Sequence, residues 1–485
     1  MSNGSAEGRS KPWTVGLLAA AFALWGLALF RGVLDGRQIL FSTDDNIGWV
    51  ARFDPLFPAA FRGCWMDWSF LGLPMGPLPV VWTSLLTWLL PLKVYVNWIH
   101  GLDLVLAAFF LGLFLRGRGV SAPAAILGSL VFVGLGSNLT LAYAGHTPKF
   151  AVLFFAALAL GGLSAAAASR RIGWPLLAGL GFGGMLAEQQ DVGLFFSLVL
   201  GAYGLFLYAV HGCFRDRRKV ALDAVAALSV ALLLALPAVM RTYTTTVQPT
   251  GQGAEPSESR EQKWEFCTQW SWPPEETIDF IAPGYMGWRS GEPAGPYWGR
   301  MGRSAGWERT GQGFQNFKLE NQYLGAIPIA FALFAILAAV VGLRAERLPP
   351  ATAANRAGPA SRGSLSAKTR AAAAAAPPRA EQRPADNGTA PTRRAEMLFW
   401  AGACVVTLLL SFGKFFPLYA LFYQLPLVNN IRNPNKFLQV FQLTLGILAA
   451  YGCDAALRLR NDRQPQSAEN RNRPAETPPA PAKTP

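Results

Sequence analysis

Long apolar runs alternate with short polar breaks along the whole chain. Trp13 to Phe30, Ile99 to Leu115, Val120 to Leu135, Phe150 to Ala167, Val192 to Val210, Val220 to Val239, Leu324 to Leu343, Met397 to Phe412 and Phe437 to Leu457 are each predominantly apolar over about the length a spanning helix needs. Trp174 to Leu186 is shorter and Gly-rich and leads into Glu188-Gln189-Gln190-Asp191. A run of that length cannot cross ~30 Å of hydrocarbon as a straight helix, so those four residues are expected below the outer interface, against protein or a watery cavity. Val80 to Leu92, bracketed by Pro79 and Pro91, reads as an interfacial or re-entrant segment. The pattern predicts an all-α polytopic membrane protein of about ten transmembrane helices.

Basic residues set the orientation. Arg116 and Arg118, Arg170 and Arg171, the cluster Arg215 to Lys219, and Arg458 and Arg460 all fall on one side of that topology, which the positive-inside rule makes cytoplasmic. Both termini then lie inside. The domain reading is a cytoplasmic tail (residues 1–12), a membrane domain (13–343) with outer loops 31–98 and 241–322, an Ala/Pro/Arg linker (344–395), a C-terminal hairpin (396–457) with outer loop 413–436, and a second tail (458–485). The linker and tail have few large apolar residues and are expected to be disordered. The first run reads as an anchor rather than a signal peptide, because no small-residue cleavage site follows it and Arg31 and Asp35 do.

Composition agrees with that class. Of 485 residues, 52% are hydrophobic and only 15% charged, too apolar for an ordinary soluble domain. The excess of 43 Lys+Arg over 29 Asp+Glu sits beside apolar runs, so topology accounts for it and no nucleic-acid partner is expected. Five cysteines without a C-x-x-C pair exclude a zinc ribbon or thioredoxin-type motif. Cys64 and Cys267 fall in outer loops, where either a disulfide or two unrelated thiols is compatible with the sequence.

Two motifs mislead. Gly302-Arg303-Ser304-Ala305-Gly306 matches G-x-S-x-G, but no strand precedes it as a nucleophile elbow requires. Gly179, Gly181 and Gly184 match G-x-G-x-x-G inside an apolar run, where small residues serve close helix packing.

What remains is a set of polar groups that the topology gathers on the outer face. They are Asp44 and Asp45 just after the first span with Asp54 and Asp67 in the same loop, His146 and Lys149, Glu188 and Asp191, Glu275 and Glu276 in Pro-Pro-Glu-Glu, and Asn429, Asn430, Arg432, Asn433 and Lys436 before the last span. Facing lipid, each charge would cost about 2.5–3.5 kcal/mol, so they are expected to line a cavity. The set suits transfer from a phosphate-linked donor: a carboxylate takes the proton of an attacking hydroxyl, and Arg, Lys or His offsets charge growing on the departing phosphate. Each also has a structural reading. Asp44/Asp45 can cap a juxtamembrane helix, Glu188 and Asp191 can pair with a cation, Glu275 can open a helix, and the basic residues can anchor at lipid headgroups.

The order of several motifs carries a family resemblance. The acidic pair after the first span, Gly145-His146-x-x-Lys149, Pro273-Pro274-Glu275-Glu276 followed by Pro283-Gly284-Tyr285, Phe416-Pro417-Leu418-Tyr419 and Ile431-Arg432-Asn433-Pro434-Asn435-Lys436-Phe437 together resemble the YfhO-like bacterial membrane proteins. The resemblance implies a GT-C type inverting glycosyltransferase of the bacterial cytoplasmic membrane. Its donor would be a polyprenyl-phosphate sugar, and its acceptor a cell-envelope polymer, glycolipid or protein on the outer face. Asp44 or Asp45 would then be the catalytic base, with His146, Lys149, Arg432 and Lys436 around the donor phosphate. Glu188, Asp191 and Glu275 would place the acceptor or a divalent cation such as Mg or Mn. Two other classes stay open: a transporter or flippase for lipid-linked saccharides, which calls for charges midway along helices, and an assembly subunit that binds partners through its linker and tail.

Overall fold

The computed structural model describes residues 12–40, 47–67, 71–243, 259–342, 393–426 and 428–463. Its helices are α1 (Pro12–Leu29), α2 (Ile47–Phe53), α3 (Trp82–Leu89), α4 (Leu92–Gly117), α5 (Ala122–Val133), α6 (Gly136–Ala144), α7 (Thr147–Ala168), α8 (Gly173–Glu188), α9 (Gln190–Val210), α10 (Arg217–Thr242), α11 (Arg260–Thr268), α12 (Trp307–Thr310), α13 (Ala326–Val341), α14 (Arg393–Ser411), α15 (Pro417–Tyr423) and α16 (Phe437–Arg463). One antiparallel pair of short strands, Cys64–Met66 with Leu73–Met75, lies in the first long loop. The fold is all-α.

Among the described residues six helices are long and apolar enough to cross a membrane, namely α4, α7, α9, α10, α14 and α16, and the pair α5 and α6, bent by 42°, makes a seventh if counted as one span. The protein is therefore built to cross a membrane several times. α1 and α13 are apolar but shorter, and α8, at 16 residues, is ~24 Å long. Each apolar run in the sequence is a helix, but several limits differ. α4 starts at Leu92, seven residues before Ile99, because the Pro91 carbonyl accepts from the Val94 and Tyr95 N–H groups at 2.8 and 3.0 Å and Asn97 is buried within the protein. The run Val120 to Leu135 stops at Val133, and α6 continues it in a new direction. α14 takes up Arg393 to Ala395 from the expected linker, since Arg393 is buried against Asp454. α16 runs on to Arg463 instead of ending near Leu457. Residues 343–392 and 464–485, most of the expected linker and tail, lie outside the described residues. Cys64 and Cys267 are thiols and do not form a disulfide.

Two helices organise the packing. The apolar windows of α7 and α16 are each 78% buried, against 17% for α10, which therefore lies at the periphery. α7 packs on α4 and α8, with α10 on the far side of α8; α16 packs on α5, α13 and α14. The glycines of α8 allow this sandwich. A Cβ on Gly179 would sit 2.3 Å from the Ala227 carbonyl oxygen of α10, and one on Gly181 2.7 Å from the Ala159 backbone of α7. The G-x-G-x-x-G pattern thus serves backbone contact between helices. In the G-x-S-x-G pattern, Ser304 closes an exposed turn by accepting from the Phe314 N–H at 2.8 Å.

At the end of the bundle where α14 starts and α16 finishes, charges are paired inside the protein. The Arg118 guanidinium grips Glu396 with bonds of 2.8–3.1 Å, the two side chains 5% and 0% exposed. Tyr203 also donates to Glu396. Asp454 accepts from Arg393, from Arg458 at 2.8 Å and from the Ser121 N–H at 2.7 Å. These contacts join α4, α5, α9, α14 and α16. Removing one partner of a buried pair costs about 3–5 kcal/mol, whereas replacing both with apolar groups costs far less. Arg118→Leu should therefore lower the thermal midpoint of the detergent-solubilised protein markedly, and adding Glu396→Leu should restore most of the loss; thermal unfolding followed by circular dichroism checks both.

Candidate functional site

Three backbone features bring polar side chains to the opposite end. α6 stops at Gly145, whose φ of +92° reverses the chain; Pro148 sits in the first turn of α7 and Lys149 follows it. α8 breaks for one extended residue, Gln189, and restarts as α9 with Asp191 in its first turn, where the helix N-terminus favours a carboxylate. Asn433, with φ of +68°, donates its N–H to the Cys267 carbonyl at 3.0 Å, and the Asn435 N–H reaches the Trp270 carbonyl at 3.1 Å. That turn sets Lys436 at the head of α16.

The side chains then meet across chain segments far apart in sequence. Lys436 Nζ is paired with Asp191 Oδ2, while Asp191 Oδ1 accepts the Val192 N–H at 2.7 Å. Lys149 Nζ lies 3.5 Å from Glu320 Oε1, and Asn435 donates to Glu320 Oε2 at 3.2 Å. Lys149 is also within electrostatic reach of Asp191. The four charged side chains are only 10–22% exposed, so this is a cleft with partial access to water. Arg432, four residues before Lys436, lays its guanidinium on the Phe266 ring at 3.8 Å, and its buried Nε has no hydrogen-bond partner among the described residues. His146 is half-buried at the N-cap of α7. His100 is buried edge-on to Phe150 with its ring centroid 4.8 Å away.

Glu188 joins a different arrangement nearby. It accepts from the Thr83 N–H at 3.0 Å and from the Thr83 hydroxyl, while the neighbouring Trp82 indole donates to Asp103 at 2.8 Å. The start of α3 is thereby tied to α8 and α4. Glu188 also borders a cavity of about 280 Å³ walled by Val80, Leu85, Phe154, Leu180 and Leu234.

Glu275 does not reach the cleft. It lies in a bidentate pair with Arg300 on an exposed surface, and that guanidinium stacks on Phe415 at 4.1 Å. Its neighbour Glu276 is the buried one of the two, held by Tyr297 at 2.6 Å and the Arg300 N–H at 3.0 Å. With the buried Lys318–Asp279 pair, Glu276 supports the fold of the long connection between α10 and α13. Pro-Pro-Glu-Glu is therefore a folding element in this chain. Asp44 and Asp45 lie outside the described residues.

Four members of this region were not among the candidate site residues: Glu320, Asp103, Thr83 and Asn435, the last lying within the quoted motif from Ile431 to Phe437. Asp103 carries a readable signal, being the one acid in the long apolar run from Leu92 to Leu115. Glu320 gives none, since it is one polar residue in the polar stretch Lys318 to Gln322. The described carboxylates do not suit a divalent cation. Asp191, Glu320, Glu188 and Glu275 are engaged by Lys436, Lys149, Thr83 and Arg300 respectively, and no group of three or more His, Cys, Asp or Glu has the spacing for a metal among the described residues.

No family model matches this chain, nor does any curated protein or solved structure.

The Arg300 pair holds the Glu275 carboxyl below the usual glutamate range. A carboxylate whose folded pKa is depressed adds stability above its unfolded pKa, and that stability is lost as pH falls through the folded value. The connection between α10 and α13 should become more susceptible to limited proteolysis as the pH is lowered through and below the ordinary glutamate range. Glu275→Gln should flatten that dependence, and the effect should be small because the pair is half-exposed.

Proposed function

We propose that this chain is an inverting glycosyltransferase that moves a sugar from a polyprenyl-phosphate donor to an acceptor at the outer face of a bacterial cytoplasmic membrane. The observation that carries the reading is the pairing of Lys149 with Glu320 and of Lys436 with Asp191 in one partly sealed cleft. Two ammonium groups held by carboxylates from different segments form a preorganised receptor for a phosphate, which strengthens its pull where water is scarce. The apolar cavity at Glu188, three residues from Asp191, offers hydrocarbon surroundings close by. The motif order resembling the YfhO-like proteins gives independent support.

On this reading an acceptor hydroxyl oxygen attacks the anomeric carbon as the bond from that carbon to the phosphate oxygen breaks. The hydroxyl proton passes to Asp44 or Asp45, and the phosphate leaves with the bonding pair. Lys149 and Lys436 meet its charge, with Arg432 and His146 at the margin. Asp191 and Glu320 hold the two lysines, while Glu188 fixes the start of α3. The proposed topology has about ten crossings, counting α1, α8 and α13 with the longer helices, and both termini in the cytoplasm.

A transporter is the second reading, and one observation favours it. Asp103 is fully buried near the middle of α4, with the buried His100 one turn away, as expected of an intramembrane proton or ion relay.

Purified protein in lipid should transfer sugar from at least one member of a panel of polyprenyl-phosphate sugars. The Asp44→Asn/Asp45→Asn double variant, folded equally well, should lose that transfer by roughly 10³-fold or more. Transfer undiminished in the double variant would remove both carboxylates from the reaction.

A further inference from the structure

α16 starts at the cleft and runs inward from it. Asn435 lies in the turn that leads into α16, beside Lys436, and Gln439 and Gln442 follow at i+4 and i+7. That spacing puts three carboxamides on one face of the helix. The contacts agree, because both ends of the row meet the same stretch, Lys318 to Gln322. Asn435 donates to Glu320 at 3.2 Å, while Gln442 donates to Gln322 at 3.0 Å and to the Ser137 hydroxyl at 2.7 Å. Gln439 stands between them, on the face that meets the Lys149–Glu320 pair.

Two members of the row hold an unused acceptor. Asn435 Oδ1 and Gln439 Oε1 are buried without a hydrogen-bond partner among the described residues. A buried amide oxygen left in that state costs stability, so its retention calls for an explanation. The Glu320 carboxylate accepts only, which fixes the Asn435 amide nitrogen toward it and leaves the oxygen as the end offered to another partner. Exposure is 7% at Asn435 and 6% at Gln439 and falls to 1% at Gln442. A ligand entering from the cleft therefore meets the first two carboxamides, and the third is sealed into the bundle.

The chemistry of the two oxygens selects what they bind. Both only accept, so each calls for an O–H or N–H donor. In a polyprenyl-phosphate sugar the phosphodiester oxygens also only accept, and the hydrocarbon chain has no polar hydrogen. The sugar alone brings hydroxyl donors. It is bonded directly to the phosphate, and Lys436 is one residue from Asn435 and three from Gln439. Side chains one helical turn apart have Cβ atoms about 5–6 Å from each other, a separation that hydroxyls on one sugar ring can bridge.

We propose, resting on the reading of the cleft as a donor-phosphate site, that Asn435 and Gln439 recognise the sugar of the donor, each carboxamide oxygen accepting from one of its hydroxyls. Lys149 and Lys436 hold the phosphate, and the two carboxamides set which lipid-linked sugar is taken. Gln439 gives the more direct test, because Asn435 also holds Glu320.

The purified full chain in lipid is measured for its affinity for two ligands: the tightest binder from a panel of polyprenyl-phosphate hexoses, and polyprenyl phosphate without a sugar. Gln439→Met keeps the length of the side chain and removes its amide. It should weaken binding of the sugar-bearing lipid at least about tenfold, because a sugar hydroxyl is then buried unpaired, and leave binding of the sugar-free lipid within about twofold. Gln442→Met, which strips the bonds to Gln322 and Ser137, should lower the thermal midpoint and leave the ratio of the two affinities within about twofold. Equal weakening of both lipids by Gln439→Met, or weakening of neither, would overturn the sugar site while leaving the phosphate site standing. Failure of the unaltered chain to bind either lipid would overturn the cleft reading itself, and the sugar site with it. Folding is compared first by thermal unfolding; if Gln439→Met does not fold, Gln439→Leu is measured under the same criteria.

Discussion

A charge inside a bundle of apolar helices has no water to turn to, so it must meet its counter-charge within the protein. This chain meets that constraint at both ends of its helices. At one end Arg118, Arg393 and Arg458 are spent on Glu396 and Asp454, which joins α14 and α16 to the helices that precede residues 343–392. At the other, Lys149 and Lys436 are held by Glu320 and Asp191. The Arg118–Glu396 and Arg393–Asp454 pairs are closely sealed and suit a structural clamp. The second set keeps partial access to water.

The rest of the architecture follows from where those pairs must stand. α7 and α16 are the most buried spans, and each carries a cleft lysine at its start. The one-residue break at Gln189 sets Asp191 against Lys436, and the left-handed turn at Asn433 brings Lys436 to face it. The glycine face of α8 lets α7 and α10 close around it, which keeps the short helix ending in Glu188 level with the cleft. The proposed chemistry requires this much preorganisation, because lysines on mobile loops would spend binding energy on being ordered.

Much of the fold was legible in the sequence. Every apolar run is a helix, because hydrophobic length is a strong signal when hydrocarbon is the solvent. The limits were less legible: Lys93 and the buried Asn97 put polar residues in the first turns of α4, where hydropathy alone reads a loop. His146, Lys149, Asp191, Arg432 and Lys436 could be named from their outer-loop positions, but their pairing could not, since Asp191 and Lys436 are 245 positions apart. Glu320 was invisible for the same reason. The partner of Glu275 was hidden too, because Pro-Pro-Glu-Glu looks alike whether its acid stands alone or, as here, pairs with an arginine of its own loop. Local spacing shows which groups share an end of the bundle, and only tertiary packing shows which of them touch.

The central claim is that the lysine cleft receives a phosphate-linked lipid. Its most direct measurement is the affinity of the purified chain in lipid for a polyprenyl-phosphate sugar, compared with Lys149→Ala/Lys436→Ala and with Lys263→Ala, whose ammonium bonds Asn430 on an exposed surface. The account predicts that the double variant binds at least about tenfold more weakly, because two charge-assisted contacts are lost, while Lys263→Ala binds as the unaltered chain does. Equal affinity in all three proteins would contradict it.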